Sequence, residues 1–202
     1  MPEFTPSKPA RVPYVFPPPG TNQVADKIRE RRRNGELIDL DAVLLNSEPV
    51  ASGWNGLGEA LRLNTTLAPQ LVELLILRVS ALNGSAYVWR QHEDIGRKVG
   101  LPASTIRVVR TEDAFAFAST GSVGITIPPV YAAALDYADH MTRSILVPQP
   151  VFARFRGLLE NDRQIVEATT VVGGYNLTTR VMRALDVAGM AEEEVPIPTA
   201  ED

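Results

Sequence analysis

Glu73, Ser85, Val88, Trp89 and His92 stand at spacings that could do chemistry. Val88, Trp89 and His92 follow Ser85 at three, four and seven positions, which places all four on one face of a helix over two turns. Glu73 belongs to the preceding, strongly apolar stretch. A short turn at Asn83-Gly84 would fold the two helices antiparallel and carry the carboxylate toward the imidazole. A Glu in such a helix needs a partner, because an unpaired ionised carboxylate in apolar surroundings is costly. His92, Arg78, Tyr87 and Trp89 are the donors nearby. A carboxylate that meets an imidazole makes a general acid/base pair. The chain has no cysteine, so disulfides, thiolate metal sites and thiol exchange are excluded, and any chemistry at this spacing is proton transfer.

A plainer reading of the same residues stands beside this one. A histidine on a half-apolar helix can be a satisfied packing residue, and a buried Glu can bond a facing turn. Ser85 suits a helix cap better than a nucleophile, since no Ser/His/Asp order is evident. Trp89 and Tyr87 suit a wall or core. His140, with Asp136 one turn before it, reads as an exposed helix pair. Only His92 and His140 could offer imidazole, neither within a ligand motif, so no metal is expected. No glycine-rich turn follows a strand-like run, and no cofactor is expected either.

The elements that must position these residues read as helices. Asn22 can cap a helix that runs through Arg29, Arg31, Arg32 and Arg33 to Asn34-Gly35, with the arginines forming a solvated face. Pro49 and Pro69 can open two more. From Leu71 to Leu82 the only charges are Glu73 and Arg78, which predicts burial nearly all round. The His92 helix ends with Arg97 and Lys98, and Gly100 suits its left-handed terminus. Leu101-Pro102 starts the next helix, with Ile106, Val109 and Phe117 as core contacts. The loop 119–127 is rich in Gly, Ser and Thr; Pro128-Pro129 leads into Val130 to Arg143; Pro148 and Pro150 precede one more helix and a closing pair. A shift of 94 positions lays Glu73 on Glu167 and sets a polar break, Gly173-Gly174-Tyr175-Asn176, near the position of the first turn, the pattern of a degenerate helical-hairpin repeat.

Around this core, residues 1–20 form a proline-rich arm whose Val12, Tyr14, Val15 and Phe16 should lie along a surface. Residues 191–202 form an acidic tail expected to be loose. Residues 21–190 are then one all-helical domain, of a length able to bury a real core. The 45% apolar and 22% charged composition is that of a globular protein. A net charge of −4 argues against a nucleic-acid binder, and no stretch has the length of a membrane span or a secretory leader. A cytoplasmic protein acting on a small molecule is the simplest expectation.

The run PQLVELLILRVSALNGSAYVWRQHEDIGRKVGL resembles the core of the carboxymuconolactone decarboxylase family, which shares its fold with alkylhydroperoxidase D. In the peroxidase branch a Glu, two Cys and a His follow at intervals of twelve, three and four, and Glu73, Ser85, Val88 and His92 stand at those intervals here. YAAALDYADHMTR and DRQIVEATTVVGGYNLTTRVMRAL are similar to the family's closing helices, so the likeness covers roughly residues 40–190. It implies an all-α, alkylhydroperoxidase D-like bundle that assembles into trimers or hexamers, with its site near subunit contacts. Loss of both cysteines removes thiol peroxidase activity. The resemblance implies a cofactor-free lyase that loses carbon dioxide from a small carboxylated lactone or related oxygenated ring. His92 would be the general acid/base and Glu73 would orient its ring. Tyr87 and Ser85 would bond substrate or a developing oxyanion, Val88 and Trp89 would line the site, and Arg78 or Arg90 would hold a carboxylate. An isomerase or dehydratase of a polyketide-like intermediate, and a non-catalytic oligomeric binding protein, stay open as alternatives.

Overall fold

The computed structural model describes residues 8–32, 34–118 and 127–199. Among these every regular element is helical. They fall into two compact units, one built from residues up to 64 together with 181–192, the other from 65–180 together with 193 onward.

In the first unit, α1 (Gln23–Arg31) starts as the sequence predicts, with the Asn22 side chain accepting from the Ala25 amide at 2.9 Å. It is followed by α2 (Asp39–Leu44) and α3 (Glu48–Leu63), the latter with proline in its first turn. The arm lies on its own chain: the Val15 amide donates to the Ala42 carbonyl at 2.9 Å, and the Tyr14 hydroxyl accepts from the Ala188 amide at 2.9 Å. The arginine run is not the solvated face expected. Arg29 donates to the Pro17 carbonyl, Arg31 to Asn55 and Arg32 to both oxygens of Asp41, at 2.9 and 2.7 Å. Their guanidiniums brace the arm and the neighbouring helices because each finds an acceptor in reach. Arg33 lies outside the described residues.

In the second unit, α4 (Pro69–Leu82) is the central element. Residues 71–80 are all buried, and α5 (Ala86–Lys98), α6 (Ala103–Thr111) and α7 (Pro129–Asp139) pack around it. Ile106, Val109 and Phe117 are in the core as expected. Gly100, at φ +93°, ends the His92 helix in the left-handed conformation that glycine adopts without steric cost. A π-turn, His140–Ser144, continues α7, and α8 (Gln149–Arg156) follows. Of the loop 119–127, all but Ile127 falls outside the described residues.

Two expectations fail here. The closing pair of helices is a single helix, α9 (Asp162–Ala184), unbroken across Gly173-Gly174-Tyr175-Asn176. Ala168, Val171, Val172, Tyr175, Thr179 and Met182 form a buried stripe at helical spacing, and such packing outweighs the weak helix propensity of two glycines. The Asn176 side chain bonds back to the Val172 carbonyl at 3.0 Å and so sits within the helix. The hairpin expected in the second copy is therefore absent. Nor is the described part of the tail loose: the Val195, Pro198 and Thr199 carbonyls accept from Arg110, Arg107 and Arg97. No helix among the described residues is long and apolar enough to cross a membrane.

Candidate active site

Glu73 stands in the second turn of α4 and His92 in the second turn of α5. The helices fold back on each other through Asn83 and a left-handed Gly84, at φ +64°, and the Ser85 amide closes the turn on the Ser80 carbonyl at 2.9 Å. Gly96, one turn beyond His92, lets them come close. A Cβ there would lie 3.3 Å from methyl carbons of Leu77 and Leu101 and 3.8 Å from Cβ of Glu73.

The approach brings Nδ1 of His92 to 2.7 Å from Oε2 of Glu73, with both residues buried. A carboxylate only accepts, so Nδ1 carries the hydrogen and donates. This leaves Nε2 as the nitrogen free to exchange a proton. Nε2 faces the Tyr175 hydroxyl at 3.2 Å, and the two rings meet edge-on with centroids 5.1 Å apart. Toward neutral imidazole the phenol donates; toward imidazolium its oxygen accepts. Tyr175 is the site residue that sequence reasoning missed. Reading Gly173-Gly174-Tyr175-Asn176 as a break hid the helical spacing that places it on the buried stripe of α9.

The other candidates separate. Val88 and Trp89 are buried on the same helix as His92, and the Trp89 indole donates to Glu93 at 2.7 Å, which suits a wall rather than a reactant. Ser85 occupies the cap position of α5, yet its hydroxyl makes no capping bond. It is 1% exposed and has no hydrogen-bond partner. Tyr87 is buried on α5, but five positions before His92 is about 140° round the helix from it. Arg78 is wholly occupied: its five N–H groups bond both oxygens of Asp139, at 2.6 and 2.9 Å, and the carbonyls of Val109, Glu112 and Asp113, each at 2.9 Å. None is left for a substrate carboxylate. Arg90 is exposed and pairs with Glu193 at 2.9 Å. The carboxylate-holding role expected of Arg78 is thus ruled out by its bonding, and Arg90 points its charge at the tail.

His140 and Asp136 are not an exposed pair. Asp136 is 1% exposed, with His140 Nε2 at 3.8 Å and Arg154 at 3.5 Å. Burial raises its carboxyl above the usual range, against the pull of His140 and Arg154, and Asp139 adds to the rise. Among the described residues no cluster of three or more His, Asp or Glu side chains could hold a metal ion.

Residues 48–122 match the carboxymuconolactone decarboxylase family. No curated protein matches the chain. Among solved structures it is similar to an uncharacterized peroxidase-related protein from Silicibacter sp., at 20% identity over 92% of this chain and 94% of that one, with a TM-score of 0.71. It is similar to an alkylhydroperoxidase AhpD core protein from Ralstonia eutropha at 19% identity, covering 88% and 90% of the two chains, with a TM-score of 0.67. A cysteine-to-alanine variant of the debrominase Bmp8 in complex with 2,3,4-tribromopyrrole aligns at 13% identity over 93% and 91%, with a TM-score of 0.63. At these identities the structures speak for the fold alone. The matched stretch contains Glu73, Ser85, Val88 and His92, and Tyr175 lies beyond it. Over residues 48–122 the chain is therefore similar to the carboxymuconolactone decarboxylase family, and its all-helical fold is like that of the alkylhydroperoxidase D-like structures, without a cysteine pair.

Proposed function

We propose that this protein is a cofactor-free enzyme that moves a proton at Nε2 of His92 during decarboxylation of a small carboxylated lactone or related oxygenated ring. The observation that carries the reading is the buried chain of Glu73, His92 and Tyr175. When the bond to the departing carboxylate breaks, carbon dioxide leaves and its electron pair spreads into the conjugated carbonyl as a dienolate. The imidazolium delivers its Nε2 proton to the ring carbon and becomes neutral. Glu73 holds the ring through Nδ1 and offsets the positive charge between turnovers. Tyr175 holds the place at Nε2 that the reacting carbon takes, and bonds the nitrogen again once product leaves. Burial of all three side chains favours proton transfer without competing bulk water.

The debrominase neighbour, whose structure contains 2,3,4-tribromopyrrole, supports a small ring as the substrate class. Because the pair moves a proton whether or not a carboxylate departs, an isomerase or dehydratase is the second reading. We place the working form as a homotrimer or homohexamer, as the family resemblance implies, and in the cytoplasm, the simplest expectation from the sequence. The test is release of labelled carbon dioxide from lactone acids in deuterium oxide. The reading expects label in the gas and deuterium in the ring, both lost in a folded His92→Ala protein. Deuterium exchange without gas would select the isomerase. Turnover undiminished in His92→Ala would defeat both.

A further inference from the structure

We infer that the amino end of α5, with the Ser85 hydroxyl, is an oxyanion site that binds the enolate oxygen of a conjugated ring while His92 works on that ring's carbon. This rests on the reading of His92 as acid/base and adds the group that stabilises the charge the reaction creates.

The starting point is a buried hydroxyl with no partner. Ser85 is 1% exposed, stands at the head of a thirteen-residue helix, and its oxygen neither caps that helix nor makes any other hydrogen bond. Leaving a buried hydroxyl unbonded is unfavourable, and such a group in a native fold calls for an explanation, of which a role in the reaction is one. Its surroundings favour an anion. The first-turn amides of a helix have no acceptor within it, and their dipoles sum toward positive at that end. Ala86, Tyr87 and Val88, which carry those amides, are buried, so the field there is little screened.

The placement fits one substrate class. Ser85, Val88 and His92 follow one another along a single face as hydroxyl, apolar side chain and imidazole. Seven residues of rise separate the ends by about 10 Å, and a helical side chain leans back toward the amino end, which shortens the gap to the scale of one conjugated ring. Oxygen at Ser85, ring over Val88 and carbon at Nε2 then match donor, apolar wall and acid in order. The rival donors are elsewhere: Arg78 has five bonds already, and Arg90 pairs with Glu193 at the surface. An oxyanion site also helps the reaction in the right place, because it strengthens as charge moves onto the oxygen, whereas holding the departing carboxylate would stabilise only the ground state.

Binding of 4-nitrophenol, a chromophore whose oxygen mimics the enolate, tests this without turnover. We expect it to bind as the phenolate, with the anion's absorbance at a pH below the free phenol's own pKa. Ser85→Ala should weaken binding about tenfold. Ser85→Thr should retain it, which guards against a folding defect in the alanine variant. Ser85→Asp should abolish it by filling the site with its own carboxylate, while its melting temperature holds or rises through a better cap. Binding as the neutral phenol, no binding, or equal affinity in Ser85→Ala would each overturn the inference. Loss of phenolate binding in His92→Gln but not in Ser85→Ala would overturn it too, by moving the anion to the imidazolium. Phenolate binding that depends on Ser85, in a protein that processes no lactone acid, would leave the site standing and remove the decarboxylase reading. Turnover with a Ser85→Ala protein that binds normally would do the reverse.

Discussion

Glu73 and Tyr175 grip opposite nitrogens of one imidazole, so their replacements should differ in kind. Glu73→Gln keeps an oxygen for the Nδ1 hydrogen and removes the charge that offsets the imidazolium; kcat should fall about a hundredfold with the fold intact. Tyr175→Phe keeps the ring against His92 and removes the hydroxyl at Nε2. Its kcat should drop about tenfold with an altered pH profile, measured by steady-state kinetics. An unchanged profile would reduce Tyr175 to packing. Arg78, by contrast, belongs to stability. Arg78→Lys cannot reproduce a five-bond fork and strands Asp139 and three carbonyls, so unfolding in urea should show a loss of about 3–5 kcal/mol. The two roles were hard to separate in sequence, where Arg78 and His92 were both donors near a buried Glu. Only the positions of Asp139 and the carbonyls after α6 reveal that Arg78 is occupied, and those partners lie 31–61 residues away.

At the scale of elements, two helical glycines make opposite predictions. No atom lies within 4 Å of a Cβ at Gly173, so Gly173→Ala should stabilise α9 by about 0.5–1 kcal/mol. At Gly96 the neighbouring methyl carbons are at 3.3 Å. Gly96→Val should push α4 and α5 apart, costing about 1–3 kcal/mol and lowering activity through the Glu73–His92 distance. Chemical denaturation and rate assays on the same preparations would check both. Most helix starts were legible because capping and proline signals are local: Asn22, Pro49, Pro69 and Gly100 act within a turn of themselves. The continuity of α9 was not, because what overrides a Gly-Gly pair is a buried stripe, and burial depends on residues far along the chain. The same misreading concealed Tyr175, while the Glu73–His92 contact was legible because it needs only one tight turn.

At the scale of the molecule, two carboxyls give opposite pH dependence. Burial works against the charged form of Glu167, but the Thr66 amide, Arg163 and the Thr66 hydroxyl outweigh it and hold the carboxyl below its ordinary range. The stability it contributes is present above the unfolded carboxylate value and is lost as pH falls through the folded one. Glu167→Gln should flatten the acid side of the stability curve. Asp136 runs the other way. With its carboxyl raised by burial, the folded protein binds that proton more tightly, so stability falls as pH rises from the unfolded value through the folded one. Asp136→Asn should remove that decline, and thermal melts across the acid range would resolve the two slopes.

The enclosure of α4 carries one more consequence. Residues 71–80 are buried, and a guanidinium in their midst joins them to α7 and to the chain after α6. Their amides can exchange with deuterated solvent only when the surrounding helices open together, so they should be the slowest in the second unit to take up label. Arg78→Lys should release that protection over the whole segment at once. Glu73 would then exchange as part of one cooperative block, and the geometry at His92 would persist for as long as that block stays shut.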